Sequence, residues 1–349
     1  MGKDSTDPGD LPQDPERVRR PVGHRRAPPV RLPEHRGRGP AGITLALVIA
    51  AACTSEAPRD AAVGDRDPPV EASAPPTQSR VYERRLVFLT LDTDSTLAVP
   101  WFFTSRSDPD GVSREIRGWL VRNGSWEPFF QEGWRSAPTR APWRQLPRGR
   151  LRLVVGLGDA LERIVYEEGP RQLEVGFGGL LAEWTSPSGD VHRIHEASAI
   201  LSSRRLSGLL LDLNRTRPPG EAHGDWVFLV SGDSLQAVVD GVRSSDVPLG
   251  GAQGWARLDF RQLTWPRLIL EWSEVRAFER ARRDVPTRWR IRADDGSVEG
   301  TLEAVTNEIE AGPGSGPLLP VYALFEVEGE VRIDGVSYPV RGILHHRQN

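Results

Sequence analysis

Three turn dipeptides set between alternating apolar runs constrain this 349-residue chain more than any other feature. Asn123-Gly124, Asp295-Gly296 and Asp334-Gly335 are pairs that tolerate the positive φ of a tight hairpin turn. Residues 115–121 and 126–130 flank the first, 289–293 and 297–302 the second, and 326–333 and 336–340 the third. Each flank alternates apolar and polar side chains, the period of a half-buried strand. Further short runs follow the same habit at 151–155, 173–177, 181–185 and 191–195, while 86–91 reads as a strand buried on both faces.

Helical periodicity is scarce, and only residues 159–166 and 275–283 invite a helical reading. No strand–helix–strand alternation appears, which argues against a doubly wound sheet and its nucleotide site. Many short strands with turns between them predict an all-β chain built as antiparallel barrels or sandwiches. The stretch Asn214 to Gly224 has Pro218-Pro219-Gly220 and no large apolar residue, so it divides the pattern. The expected layout is a first β domain over 81–215 and a second over 225–349, each lipocalin-like.

The N-terminus carries an address. Residues 1–40 lack apolar periodicity and hold nine Lys+Arg against six Asp+Glu. An apolar run of 12 residues, 41–52, follows and ends at Cys53. It is short of the roughly 20 residues a membrane-spanning helix needs, and it suits the apolar core of a signal peptide. Ala51-Ala52-Cys53 resembles the lipobox of bacterial lipoproteins, in which small residues precede the lipidated cysteine; Ala50 departs from the larger aliphatic residue usual there. The resemblance implies a lipid anchor on Cys53. Thr54 stands where an inner-membrane retention signal would place Asp, so the expected location is the cell envelope, at the outer membrane. Residues 1–52 then form the leader and signal peptide, and 53–80, dense in Pro, Ala and acidic residues, form a disordered tether.

Composition narrows the partners. A net charge of −3 lacks the basic excess of a nucleic-acid binder, so no nucleic acid is expected. One cysteine excludes an internal disulfide and any multi-cysteine metal site. No cofactor and no metal are expected. There are 11 Trp against 4 Tyr, and Trp119, Trp134, Trp184, Trp255 and Trp272 recur on strand-like segments. Facing one interior they would line an aromatic pocket for an apolar ligand; filling the cores is the plainer alternative.

The run from Trp289 through Asp294-Asp295-Gly296 to Gly300, and the stretch from Pro313 to His345 with Val321-Tyr322, Phe325 to Gly335 and Val340 to His345, are similar to segments of a known family. The layout resembles the tandem lipocalin-like fold shared by carotenoid 1,2-hydratases and AttH-type secreted proteins. Where that family has adjacent tryptophans before a tyrosine, this chain has Trp101-Phe102-Phe103. The resemblance therefore implies an architecture and an apolar pocket, and no catalytic residue is carried over.

Chemistry-bearing residues give no motif. His192 and His195 are three apart on a strand and should face opposite sides, so they would not chelate one ion. They are expected at a surface or hairpin edge. His345 and His346 lie where fraying is expected. Asp212, Asp225, Asp240 and Glu271 adjoin apolar runs and are expected to face solvent; turned inward, one could act as a general acid or base. No Gly-x-Ser-x-Gly occurs. Three functions stay open: an anchored lipocalin-like protein binding an apolar or amphipathic small molecule, an envelope scaffold with filled cores, and a hydratase- or hydrolase-like enzyme on the same fold.

Overall fold

The structure is a computed structural model that describes residues 78–91, 97–147, 149–157, 160–221, 224–241 and 251–349. The signal-like run, Cys53 and nearly all of 53–80 lie outside the described residues.

Nine strands form the first sheet: β1 (Arg80–Thr90), β2 (Leu97–Asp108), β3 (Gly111–Arg122), β4 (Ser125–Ser136), β5 (Leu151–Val155), β6 (Leu161–Glu168), β7 (Arg171–Thr185), β8 (Val191–Leu201) and β9 (Arg204–Arg217). Their order is β4-β3-β2-β1-β9-β8-β7-β6-β5, every pair antiparallel, in a curled half-barrel. Eight more form a closed up-and-down barrel: β10 (Trp226–Ser231), β11 (Leu235–Gly241), β12 (Gly251–Leu258), β13 (Arg261–Phe278), β14 (Arg283–Ala293), β15 (Val298–Ala311), β16 (Val321–Ile333) and β17 (Val336–Gln348). Pairing of β10 with β17 closes it. Closure removes the sheet edge that would otherwise invite pairing with another chain. No α-helix occurs among the described residues.

The turn chemistry behaves as its residues demand. Asn123 and Gly124 have φ of 48° and 77°, and Asp334 and Gly335 have 50° and 82°. Both are the two-residue hairpin turns whose twist matches the flanking strands. At Asp295-Gly296 only the glycine is left-handed, at 72°. Asp295 instead caps the turn by accepting the Ser297 backbone N–H and hydroxyl.

Neither stretch that invited a helix is one. Residues 161–166 belong to β6, where Leu161, Ile164 and Tyr166 are buried. Val154 pairs with Arg163 but Val155 pairs with Leu161, so Glu162 is the extra residue of a bulge. The bulge puts buried positions three apart and imitates helical spacing. Residues 275–278 end β13, and a turn closed by Ala281 N–H to Phe278 O leads into β14. This exposed, charged ribbon has no apolar face to fix its period.

Three apolar clusters hold the molecule. The barrel lumen contains Val227, Leu229, Trp289, Ile291, Phe325 and Leu344. One face of the nine-stranded sheet packs Leu86, Phe88, Trp101, Phe103, Ile116 and Leu210. The third cluster lies between sheet and barrel: Val87, Leu89, Phe102, Trp119, Trp184 and Leu211 meet Trp226, Phe228, Val238, Trp255 and Ile343. The continuous runs in the sequence are the strands where these layers meet. On β1, Leu86 and Phe88 face one cluster while Val87 and Leu89 face another. On β10, Val227 and Leu229 point into the lumen while Trp226 and Phe228 point at the sheet. Polar ties add to the junction: Trp126 donates to Thr306 (2.9 Å), Arg117 pairs with Glu310, and Arg341 donates to the Thr90 carbonyl.

Candidate functional site

A cavity of about 400 Å³ opens between sheet and barrel. From the sheet, β1 contributes Glu83 and Arg85, β2 Phe102, β3 Arg117 and Trp119, and β9 Arg215 and Arg217. From the barrel, β10 contributes Trp226, β15 Glu308 and Glu310, β16 Tyr322 and Leu324, and β17 His345 and Arg347. Period-two alternation explains these sets. Residues 83 and 85 share a face of β1, as do 215 and 217 of β9 and 345 and 347 of β17.

The floor is aromatic. Phe102 meets Trp119 edge-on (5.3 Å between centroids), and His345 lies edge-on to Phe102 (5.3 Å) and stacked on Trp226 (5.7 Å). The Arg85 guanidinium sits 4.5 Å above the Phe102 ring, a cation–π contact. Arg117 does the same over Trp119 at 4.9 Å.

The deep wall is ionic. Arg85 and Arg217 both donate to Glu83 Oε1, at 2.8 and 2.5 Å. All three side chains are at most 10% exposed. Burial, with further lowering by Arg215, Arg217 and Arg347, outweighs Glu83 and holds the Arg85 guanidinium down at about 10. Behind it Arg215 bridges Asp190 (3.3 Å) and Asp240. Burial works to raise Asp240, but Arg215 and His192 more than offset it and hold the carboxyl well below the usual range. Asp190 goes the other way, raised by burial despite Arg215. His192 is fully buried, with Nε2 3.5 Å from Asp240 and its ring 4.6 Å from that of Trp255.

His345 is the group best placed for chemistry. Burial, then the charge of Arg85, pushes its imidazole well below the usual value, so it is neutral at pH 7. Its Nδ1 has no hydrogen-bond partner. At the rim, burial and the neighbouring Glu310 raise Glu308.

On the other face of the β17 strand, inside the barrel, Asp225 gathers three donors. A carboxylate can only accept, so His346 Nδ1–H donates to Oδ1 (2.7 Å), while the Trp272 and Trp289 indoles donate to Oδ2 (2.8 and 3.3 Å). Burial raises this carboxyl, but His346 and the indoles more than offset that and lower it.

These placements correct several expectations. His192 sits in a buried ion cluster and not at a surface or hairpin edge. His195 does face the opposite side, edge-on to Phe177. His345 and His346 do not fray, because β17 runs to Gln348 and is paired on both sides. Asp212, Asp225 and Asp240 are buried rather than solvent-facing; Asp212 takes a two-pronged contact from Arg84 (2.8 and 2.6 Å). Of the five tryptophans, Trp119, Trp184 and Trp255 share the sheet–barrel cluster, but Trp119 alone of them lines the cavity. Trp134 packs on the far face of the sheet, and Trp272 stands at the barrel end beside Asp225. Phe102, Trp226, His345 and the arginines escaped sequence reasoning. The contacts that join sheet to barrel or close the ion cluster, such as Phe102 with His345, Trp226 with His345 and Arg217 with Glu83, span more than 100 residues, and no spacing signals them.

A second cavity, about 420 Å³, lies against the nine-stranded sheet among Tyr82, Arg84, Phe103, Trp143, Leu146 and Leu161. Apart from Arg215 and Glu83, which border both spaces, it has none of the buried ion network described above.

No family model and no curated protein matches the sequence. Solved structures do match in shape. AttH from Nitrosomonas europaea aligns with 77% of this chain and 92% of its own, at a TM-score of 0.52 and 15% identity. The chain has the AttH-like fold. Kievitone hydratase from Nectria haematococca covers 76% of this chain and 87% of its own at 0.48 and 11%. CghA, solved with Sch210972, covers 76% and 88% at 0.42 and 11%. At these identities the AttH-like likeness speaks to architecture alone, a two-part lipocalin-like fold of half-barrel and closed barrel.

Proposed function

We propose that this chain is an exported lipoprotein, anchored through Cys53, that binds an amphipathic small molecule between its half-barrel and its barrel. The observation that carries the binding reading is the meeting of three aromatic side chains, Phe102, Trp119 and Trp226, with buried guanidiniums in one cavity. Its volume falls within the range of sites that enclose drug-sized ligands. Rings supply apolar contact area, and the arginines supply fixed donors that orient a polar group. The anchor rests on the sequence alone.

The test is to incubate the full chain, expressed as Cys53→Ser to keep it free of lipid, with a total lipid extract. Repurification and native mass spectrometry then follow. One compound retained near one equivalent supports the reading. A folded protein that returns empty overturns it and favours a scaffold with filled cores.

A second reading has a specific observation behind it. His345 is a neutral imidazole on the cavity wall, with cationic Arg85 stacked on the opposite ring neighbour Phe102. A neutral base beside fixed positive charge can take a proton from a bound substrate while the guanidiniums stabilise the anion that forms. Turnover of the retained compound by the wild-type chain and not by His345→Gln would establish this reading; equal behaviour of both would exclude it.

A further inference from the structure

We propose that the ligand is an anionic amphiphile whose carboxylate or phosphate end lies against Arg85, Arg217 and Arg347. This rests on the reading of the cavity as a ligand site. It comes from the distribution of charge along the wall.

At the deep end, Arg85 and Arg217 share one carboxylate oxygen, Glu83 Oε1. Arg347 stands close enough to depress both guanidiniums through its charge. Arg85 and Arg217 on the one Glu83 carboxylate leave a local excess of one positive charge (2 − 1), and Arg347 lines the same cavity. Arg215 does not change this count, because its guanidinium turns to Asp190 and Asp240, neither of which lines the cavity. Those two carboxylates form the negative side of the cluster, away from the ligand space.

The rim is different in kind. Arg117 pairs with both oxygens of Glu310 (2.5 and 2.6 Å), and Glu310 is 40% exposed. Charges there are screened by water, whereas Arg85, Arg217 and Glu83 are not. Like charges held together out of water favour the arrival of an opposite charge. Planar guanidiniums match the two oxygens of a carboxylate or phosphate. The aromatic residues Phe102, Trp119 and Trp226 then take the apolar body, so one end of the ligand is charged and the other is greasy.

The experiment uses the full chain as Cys53→Ser and four matched probes below their micelle concentrations: dodecanoate, dodecyl phosphate, dodecanol and dodecylamine. Tryptophan quenching and calorimetry read the affinity. The expected result is that dodecanoate or dodecyl phosphate binds roughly tenfold or more tighter than dodecanol, with the amine weakest. The better of the two anions names the head group. The preference should shrink to about threefold or less in Arg217→Gln, and again in Arg347→Gln, which is less buried and guards against a folding defect in the first. Equal binding of acid and alcohol overturns the anionic proposal and leaves the cavity reading intact. Failure of all four probes counts against both.

Discussion

His345 and His346 are adjacent in β17 and face opposite sides of the barrel wall. His345 stacks on Trp226 in the cavity, while His346 donates to Asp225 in the lumen. One backbone step separates a histidine beside cations from a histidine beside a carboxylate.

The first of the pair predicts a pH dependence. The folded chain keeps His345 neutral well below 6.5, whereas the unfolded chain protonates it near that value. Between those two points the unfolded state binds more protons, so stability falls as pH drops below about 6.5. Urea denaturation at a series of pH values should show this loss, and His345→Gln should flatten the profile in that window. An unchanged profile would mean the imidazole is not held neutral.

Asp225 predicts the companion effect at lower pH. Its folded carboxyl is held below the usual value of 3.8. The stability it contributes is therefore present above the unfolded value and is lost as pH falls through the folded one. Asp225→Asn should cost about 3 kcal/mol at pH 7, because His346 and two indoles lose a charged acceptor. The gap between variant and wild type should narrow below about pH 4. Thermal denaturation at pH 7 and pH 3 reads both.

Arg215 is the keystone of the ion cluster between the sheet and the barrel. Arg215→Met leaves Asp190 and Asp240 buried without their cation and should cost on the order of 3–5 kcal/mol. Arg215→Lys should recover only part of that, since an ammonium cannot fork between two carboxylates. Chemical denaturation midpoints of the two variants give the comparison.

Gly118 lies beneath the Trp101 indole. A Cβ there would come within 2.7 Å of the ring and 3.2 Å of Phe129. Gly118→Ala should force the indole aside, cost about 1–3 kcal/mol, and shift the tryptophan emission. An emission spectrum identical to wild type would show that the ring has room to move.

Much of the fold could be read in advance, and the reason is local. Asn123-Gly124 and Asp334-Gly335 specify their turns through their own φ preferences, and alternation at 326–333 follows from one buried face. Even the junction left a trace, since 86–89 and 226–230 are apolar without a break because both faces of those strands are covered. Where the local rule was bent, the reading failed, as with the bulge at Glu162 that gave β6 a helical spacing.

The site was much less legible. Glu83 meets Arg217 across 134 positions and Asp225 meets His346 across 121. A charged residue inside an apolar run looks the same whether it faces water or a partner from another strand. Trp119 could be named as a candidate from its strand, but nothing near it announced Phe102 or Trp226.

Membrane attachment gives a separate prediction. If Cys53 is lipidated, the wild-type chain should fractionate with membranes and incorporate labelled palmitate. Cys53→Ser should do neither. A wild-type chain recovered wholly in the soluble fraction would leave the cysteine without that role.

Strand β17 pairs with β10 and β16 and carries His345 and Arg347. It is therefore both the closing stave of the barrel and part of the cavity wall. In the order of synthesis it comes after every other strand described. Until it emerges, β10 presents Trp226 to Val230 as an open apolar edge, and the wall opposite the arginines of β1 and β9 lacks His345 and Arg347. The barrel seam and the last part of the cavity wall are thus completed together, in a single late event.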